Sequence, residues 1–276
     1  MQYFVATEDS RDFRWRTELL LESIRLLGLE DQTVVAVCPG PGIKGKTPYP
    51  NQVKFDNIGR KLGYQPINKS LGLLKALEQG VLRQPFVVLD TDMFLLRPIP
   101  QNFGDVSAQI HARLEWEHVK PVLGEHVSGS DWVAVGGVYQ FNGAPGKVFE
   151  DIYTTTYDLF QKVGPVPDLH TFGFTLGVSK NDFIFTKRDD YEMPLKKDDT
   201  PKVNWGSHVV HYSKGHPPYF SKEKAFDSID FALTMPLPFK KILEAPVLNQ
   251  PNMSLMQTLV RSWLSQHANR LGELMF

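Results

Sequence analysis

The feature that most constrains this chain is the run Gln84-Pro85-Phe86-Val87-Val88-Leu89-Asp90-Thr91-Asp92-Met93. Four consecutive apolar residues with no helical period, preceded by a proline, read as a short strand buried on both faces, the pattern of a central strand in an α/β sheet. That strand runs into two carboxylates at i and i+2. Because strand side chains repeat every two residues, Asp90 and Asp92 point to one side if the backbone stays extended. Two acids at the end of a buried strand require a cation, and a hard divalent ion held by carboxylates and substrate phosphates satisfies them. The carboxyl end of a strand is also where open α/β sheets bind ligands. The tripeptide alone fits either a metal–diphosphate site or an acidic loop.

The order of elements supports an α/β sheet. Tyr3 to Thr7 reads as a strand, and Ser10 or Asp9 caps a helix in which Phe13, Leu20, Ile24 and Leu27 keep a 3.6 spacing until Gly28. Within it, Trp15 and Arg16 read as packing and surface charge. Thr33 to Cys38 is a second strand, followed by a Pro- and Gly-rich loop from Pro39 to Pro50. That loop resembles a phosphate loop only superficially, since its glycines lack the four-residue gap and Pro48 follows where a helix should begin. A helix carrying Leu71, Leu74, Ala76, Leu77 and Leu82, with Ser70 as its cap, then descends into the central strand. Lys69 at its start, ahead of the acid pair, reads either as a contact to a phosphate or a sugar hydroxyl or, taken alone, as a solvated lysine.

Beyond the acid pair, Asp105 to Arg113 reads as a strand. The cluster His111, Glu115, Glu117, His118, Glu125 and His126 lacks zinc-ligand spacing and reads as polar surface or pocket wall. Asp131 to Asn142 is a strong strand interrupted by Gly136 and Gly137, which marks either a close approach to its backbone or a bulge. A helix spans Pro145 to Val163, and Asp168 is placed to cap another helix or a turn. Lys187 to Lys202 reads as a mixed-charge loop. Ser207 to His211 is a strand that puts His211 on the face of Val209, opposite Val210, and Lys214-Gly215 is a turn. Met253 to Phe276 reads as an amphipathic helix.

With 276 residues, 42% hydrophobic and 22% charged, the chain can bury a substantial core, as one domain over 1–245 with a helical extension over 246–276. A formal charge of -1 neither favours nor excludes nucleic acid. The single Cys38 cannot form an internal disulfide, no apolar run approaches the roughly 20 residues of a membrane span, and the amino terminus enters a strand directly. These features lead to the expectation of a soluble cytoplasmic protein, microbial or viral, with no membrane partner.

Asp90-Thr91-Asp92, Gly136-Gly137 and His211-Tyr212-Ser213-Lys214-Gly215, in that order, resemble the nucleotide-sugar glycosyltransferases of the GT-A fold. Phe13-Arg14-Trp15-Arg16-Thr17, Ile67-Asn68-Lys69-Ser70, Val87 to Asp92 and His211-Tyr212 are similar to the plant hydroxyproline O-arabinosyltransferases and peptidyl-serine galactosyltransferases, over residues 3–220. The resemblance implies a Rossmann-like, mostly parallel sheet flanked by helices. It implies a divalent metal, Mn2+ before Mg2+, on Asp92 and His211, with Asp90 at the metal or the donor sugar. It further implies a donor diphosphate touched by Lys214 and the backbone of Gly215, a uridine near Thr7 and Glu8, and donor contacts from Asn68, Lys69, Thr91, Gly136 and Gly137. Where the plant enzymes carry a Glu, this chain has His170, so Asp168 is the substitute candidate for the base of an inverting reaction, whereas a retaining enzyme needs none. The expected acceptor is a hydroxyl on a peptide or on a hydroxymethylated pyrimidine of phage-type DNA. Two alternatives stay open: a haloacid-dehalogenase-like phosphatase with Asp90 as nucleophile, and a non-catalytic sugar-nucleotide binder.

Overall fold

The computed structural model describes residues 1–41, 49, 51–95, 97–111, 133–165, 169–181, 184–188, 191–194 and 208–211. In chain order these form β1 (Gln2–Asp9), α1 (Arg11–Leu26), a single 3-10 turn (Glu30–Gln32), β2 (Thr33–Pro39), β3 (Gln52–Lys54), α2 (Ile58–Leu62), α3 (Ile67–Glu78), β4 (Phe86–Leu89), β5 (Met93–Leu95), β6 (Val106–His111), β7 (Val133–Phe141), α4 (Gly146–Val163), α5 (Leu169–Ser179), β8 (Phe185–Arg188), β9 (Glu192–Pro194) and β10 (Val209–His211). Seven strands make one sheet in the order β3-β2-β1-β4-β7-β6-β8, and β5-β10-β9 make a smaller second one.

Strands β2, β3 and β4 run parallel to their neighbours around β1, β8 runs parallel to β6, and β7 is antiparallel to both β4 and β6. Alternation explains the apolar run of β4. Val87 and Leu89 pack on one face with Tyr3, Val5, Leu20 and Ile24, against α1, while Phe86 and Val88 pack on the other with Phe4, Ala36 and Leu73, against α3. Ser10 caps α1 through its side chain, and Gly28 takes a positive φ of 69° behind that helix, as the sequence anticipates.

Helices α4 and α5 cover the α3 side of the sheet. They approach closely because α5 carries Gly173 and Gly177 four residues apart. A Cβ on Gly177 would lie 2.5 Å from the Ile152 backbone, and one on Gly173 would collide with Thr156.

Three expectations need correction. Ser70 is not the cap of α3: the helix starts at Ile67, and Ser70 sits in its first turn, donating to the Ile67 carbonyl at 3.0 Å. Asp90 to Asp92 do not continue the strand, because β4 stops at Leu89 and the three residues form a turn into the second sheet. The stretch 187–202 is not wholly loop, since it holds the end of β8 and all of β9, whose pairing is set by strands distant in sequence. The glycines of β7 lie where its pairing with β6 jumps register, from Ala108↔Tyr139 to Ile110↔Ala134, so the bulge reading holds. Asp168, Lys214, Gly215, the acidic and histidine cluster from Glu115 to His126, and the extension 246–276 lie outside the described residues.

Candidate metal centre

The turn after β4 and the pairing of the small sheet together build the site. β5 leaves the turn directly at Met93, and β10 runs antiparallel to it with His211 opposite Met93. That register places the imidazole beside Asp92, with Nε2 3.5 Å from Oδ1. One ligand atom from each of Asp90, Asp92 and His211 then falls within 4.8 Å of the others. Two carboxylate oxygens and an imidazole nitrogen fit a hard or borderline divalent ion.

Lys69 serves this cluster in a way the sequence does not reveal. Its Nζ donates to Asp90 Oδ1 at 2.7 Å, and the lysine is 8% exposed. The ammonium also lies 5.7 Å from the Tyr139 ring centroid and 5.6 Å from that of Phe174, two rings stacked at 4.5 Å. A buried lysine needs such partners. In return it fixes one oxygen of Asp90 and leaves the other for a ligand.

The other anticipated donor contacts are placed as follows. Thr7 shares a 2.7 Å hydrogen bond with Thr17 of α1, so its hydroxyl turns into the protein. The Glu8 carboxylate accepts from Asn57 Nδ2 at 3.1 Å and lies 3.9 Å from Arg60. Asn68 is likewise committed: its Oδ1 accepts from the Gly59 backbone at 2.9 Å and its Nδ2 donates to Asn57 Oδ1 at 2.8 Å. Thr91 is buried in the turn between the two acids. Gly136 and Gly137 lie in the irregular part of β7. His170 stands in the first turn of α5, where its backbone N–H donates to the Tyr64 hydroxyl at 2.9 Å.

A cleft of about 600 Å3 opens at the carboxyl ends of β1, β2 and β3, lined by Asp9, Arg14, Cys38, Tyr49, Lys54 and Asp56 among others. Its volume is in the range that holds a nucleoside-sized ligand. The Arg14 guanidinium lies 4.3 Å over the Tyr49 ring and pairs with Glu18. Burial pushes the Tyr49 phenol up from its ordinary range, with Arg14 partly offsetting the shift. No single residue pattern in the sequence marks this cleft.

No protein-family model matches the chain, and no curated protein matches it in sequence. Solved structures do match. The galactosyltransferase LgtC, in complex with donor and acceptor sugar analogues, aligns at a TM-score of 0.49 and 11% identity over 80% of this chain and 90% of LgtC. The glycosyltransferase GlyE of Streptococcus pneumoniae TIGR4 aligns at a TM-score of 0.50 and 12% identity, over 96% of this chain and 64% of GlyE. The fold is GT-A-like. The chain therefore spans just under two thirds of GlyE's length. In this GT-A-like sheet the Asp90–Asp92–His211 cluster stands at the carboxyl end of β4, where open α/β sheets take their ligands. Among the described residues, no helix is long and apolar enough to cross a membrane.

Proposed function

We propose that this chain is a metal-dependent glycosyltransferase that moves a sugar from a nucleotide diphosphate to a hydroxyl. The observation that carries the reading is the convergence of Asp90, Asp92 and His211 at the end of β4 in a GT-A-like fold. A divalent ion held there would neutralise charge on the departing diphosphate. Asp92 and His211 would hold that ion, and Asp90, fixed by Lys69, would offer its second oxygen to the ion or to the donor sugar.

The rim cleft suits the donor's base and ribose. It lies over β2, two strand spacings from β4, or roughly 10 Å, a separation that a nucleoside diphosphate as a whole spans. Its lining pairs two acids, Asp9 and Asp56, with two bases, Arg14 and Lys54, so it carries no bias toward an anion. Lys214 and the Gly215 backbone are assigned to the diphosphate.

In the transfer itself, the acceptor oxygen bonds to the anomeric carbon as the bond from that carbon to the diphosphate oxygen breaks. The diphosphate leaves with the electron pair. In an inverting reaction the acceptor proton passes to a base, for which Asp168 is the candidate and His170 the alternative. Donor uridine, and an acceptor hydroxyl on a peptide or on hydroxymethylated pyrimidine in DNA, are the finer readings drawn from the resemblance to the plant families.

The test is thermal stabilisation by UDP, GDP, CMP and ADP, each with and without Mn2+, since a ligand that binds only the folded state raises its melting temperature. A shift with one nucleotide that requires Mn2+ is expected and names the base. Failure of all four to shift it would discard the transferase reading, and phosphate release from a generic monoester, lost in Asp90→Asn, would install the phosphatase in its place. The acceptor is then read from donor consumption with a hydroxyproline peptide against a duplex containing hydroxymethylcytosine.

A further inference from the structure

Strand β10 is three residues long, too short to hold a metal-ligating histidine in place by its own ladder. What precedes it is unusually well fixed. The N–H groups of His208 and Val209 both donate to the Tyr191 carbonyl, at 3.2 and 2.8 Å. Tyr191 is fully buried, and its hydroxyl enters a polar cluster contributed by β6, β7 and the loop that precedes β6. It lies 2.7 Å from Ser107 Oγ on β6 and donates to Gln140 Oε1 on β7 at 3.0 Å. The Asn102 amide contacts it as well, donating also to Gln140 Oε1 at 2.7 Å and to Ser107 Oγ at 2.9 Å. Gln140 Nε2 in turn donates to the Pro100 carbonyl at 3.1 Å, and the Arg188 guanidinium lies 5.1 Å over the Tyr191 ring. A second tie enters from the other side. His208 Nδ1 stands 2.8 Å from the Pro98 carbonyl, and since that oxygen only accepts, Nδ1 carries the proton.

Ser107 and Gln140 are as fully buried as Tyr191. Replacing the whole cluster together by apolar residues of similar volume would serve stability at least as well, whereas a satisfied polar cluster fixes orientation. Its effect here is to fix the Tyr191 carbonyl, hence the entry of β10, hence the position of His211 opposite Met93 and beside Asp92. We infer that Tyr191, through Ser107, Gln140 and Asn102, and His208, through the Pro98 carbonyl, are positioning residues for His211 in the metal centre. The inference rests on the metal reading given under Proposed function. Groups that orient a ligand typically change metal affinity 10- to 100-fold when removed.

The experiment is a Mn2+ titration followed by electron paramagnetic resonance, alone and with the nucleotide that stabilises the protein, together with the nitrogen hyperfine coupling of the bound ion and the melting temperature. Wild type should show a nitrogen coupling that vanishes in His211→Ala. Tyr191→Phe should weaken Mn2+ binding at least about 10-fold and reduce the coupling. His208→Leu should do the same, while His208→Asn, which keeps an N–H near the Nδ1 position, should restore both. Ser107→Ala is the parallel variant should Tyr191→Phe not give folded protein. Wild-type Mn2+ affinity and coupling in folded Tyr191→Phe and His208→Leu, whatever their melting temperatures, would show that the cluster only stabilises the fold and would overturn the inference while leaving the metal reading intact. Absence of Mn2+ binding in wild type overturns both.

Discussion

The two halves of the main sheet, on either side of β4, hold together by different means. On one side β3, β2, β1 and β4 run parallel, come from the first third of the chain, and are apolar on both faces. On the other, β7 reverses direction, β6 and β8 follow it, and one face is built around Gln140, Ser107, Tyr191 and Asn102. The acids of the candidate centre are placed by the first half and its turn. Its histidine comes from the small sheet that leans on the second. A ligand set at such a seam takes its charge from a rigid apolar layer and its geometry from a polar one, and each contribution can be removed separately.

The largest expected effect is on the contribution of charge. Asp92→Ala should lower transfer by at least about 1,000-fold, some 4 kcal/mol of barrier, with little loss of melting temperature because it also relieves repulsion from Asp90. His211→Ala, which removes a neutral ligand, should cost less. Steady-state rates across a Mn2+ series check both, and full activity of Asp92→Ala in chelator-treated protein would refute the metal model.

Adjacent residues of β7 face opposite sides of the sheet and compare apolar with polar packing directly. Phe141 packs on Phe86 and Phe149, with ring centroids at 5.2 and 5.0 Å, so Phe141→Ala should cost about 3–5 kcal/mol in urea unfolding. Gln140→Leu keeps the volume but takes the common acceptor from Asn102, Ser107 and Tyr191, and should cost about 1–3 kcal/mol. Equal stability of Gln140→Leu and wild type would erase the distinction between the layers.

The charge–geometry division also predicts an intermediate effect at Lys69. Lys69→Met strands the Asp90 carboxylate, and breaking a buried ion pair costs 3–5 kcal/mol when both partners are enclosed. Asp90's side chain is 22% exposed, so water screens the loss and about 1–2 kcal/mol is the expectation. Asp90→Asn in the same background should recover part of it.

This division also marks what the sequence makes legible. Phe86 to Leu89, Thr33 to Cys38 and the Ser10-capped helix are local patterns, and each appears where its residues place it. The acid pair is legible because two carboxylates after a buried strand are costly without a purpose. From the residues alone His211 is legible as a histidine ending a strand, and as a ligand through the family resemblance, since its neighbour across the sheet, Met93, is more than a hundred residues away. Tyr191 and Gln140 carry no signal at all: a tyrosine in a charged stretch and a glutamine inside a β-rich run acquire meaning from partners 51 residues apart. Lys69 looks like a solvated helix start until Asp90 and the Tyr139–Phe174 stack are seen around it.

The smallest effect examines whether the first half stays dry to its rim. Cys38, fully buried at the end of β2 with Sγ 3.6 Å from the Thr7 carbonyl, lines the cleft. Burial, with the nearby Glu8 carboxylate adding to it, pushes its thiol up to about 12. The unfolded chain ionises near 8.5, so above that pH the unfolded state has lost a proton that the folded state keeps. Stability therefore falls as pH rises, by a slope approaching about 1.4 kcal/mol per pH unit, and is untouched below about pH 8. Cys38→Ala should abolish that slope between about pH 8 and 9.5, a window kept below the ionisation of ordinary tyrosines because burial also raises Tyr3 and Tyr49. Urea unfolding of the two proteins across the window provides the comparison. Parallel curves would mean that water reaches the thiol through the cleft, and the rim of β2 would then belong to the solvated site and not to the apolar layer beneath it.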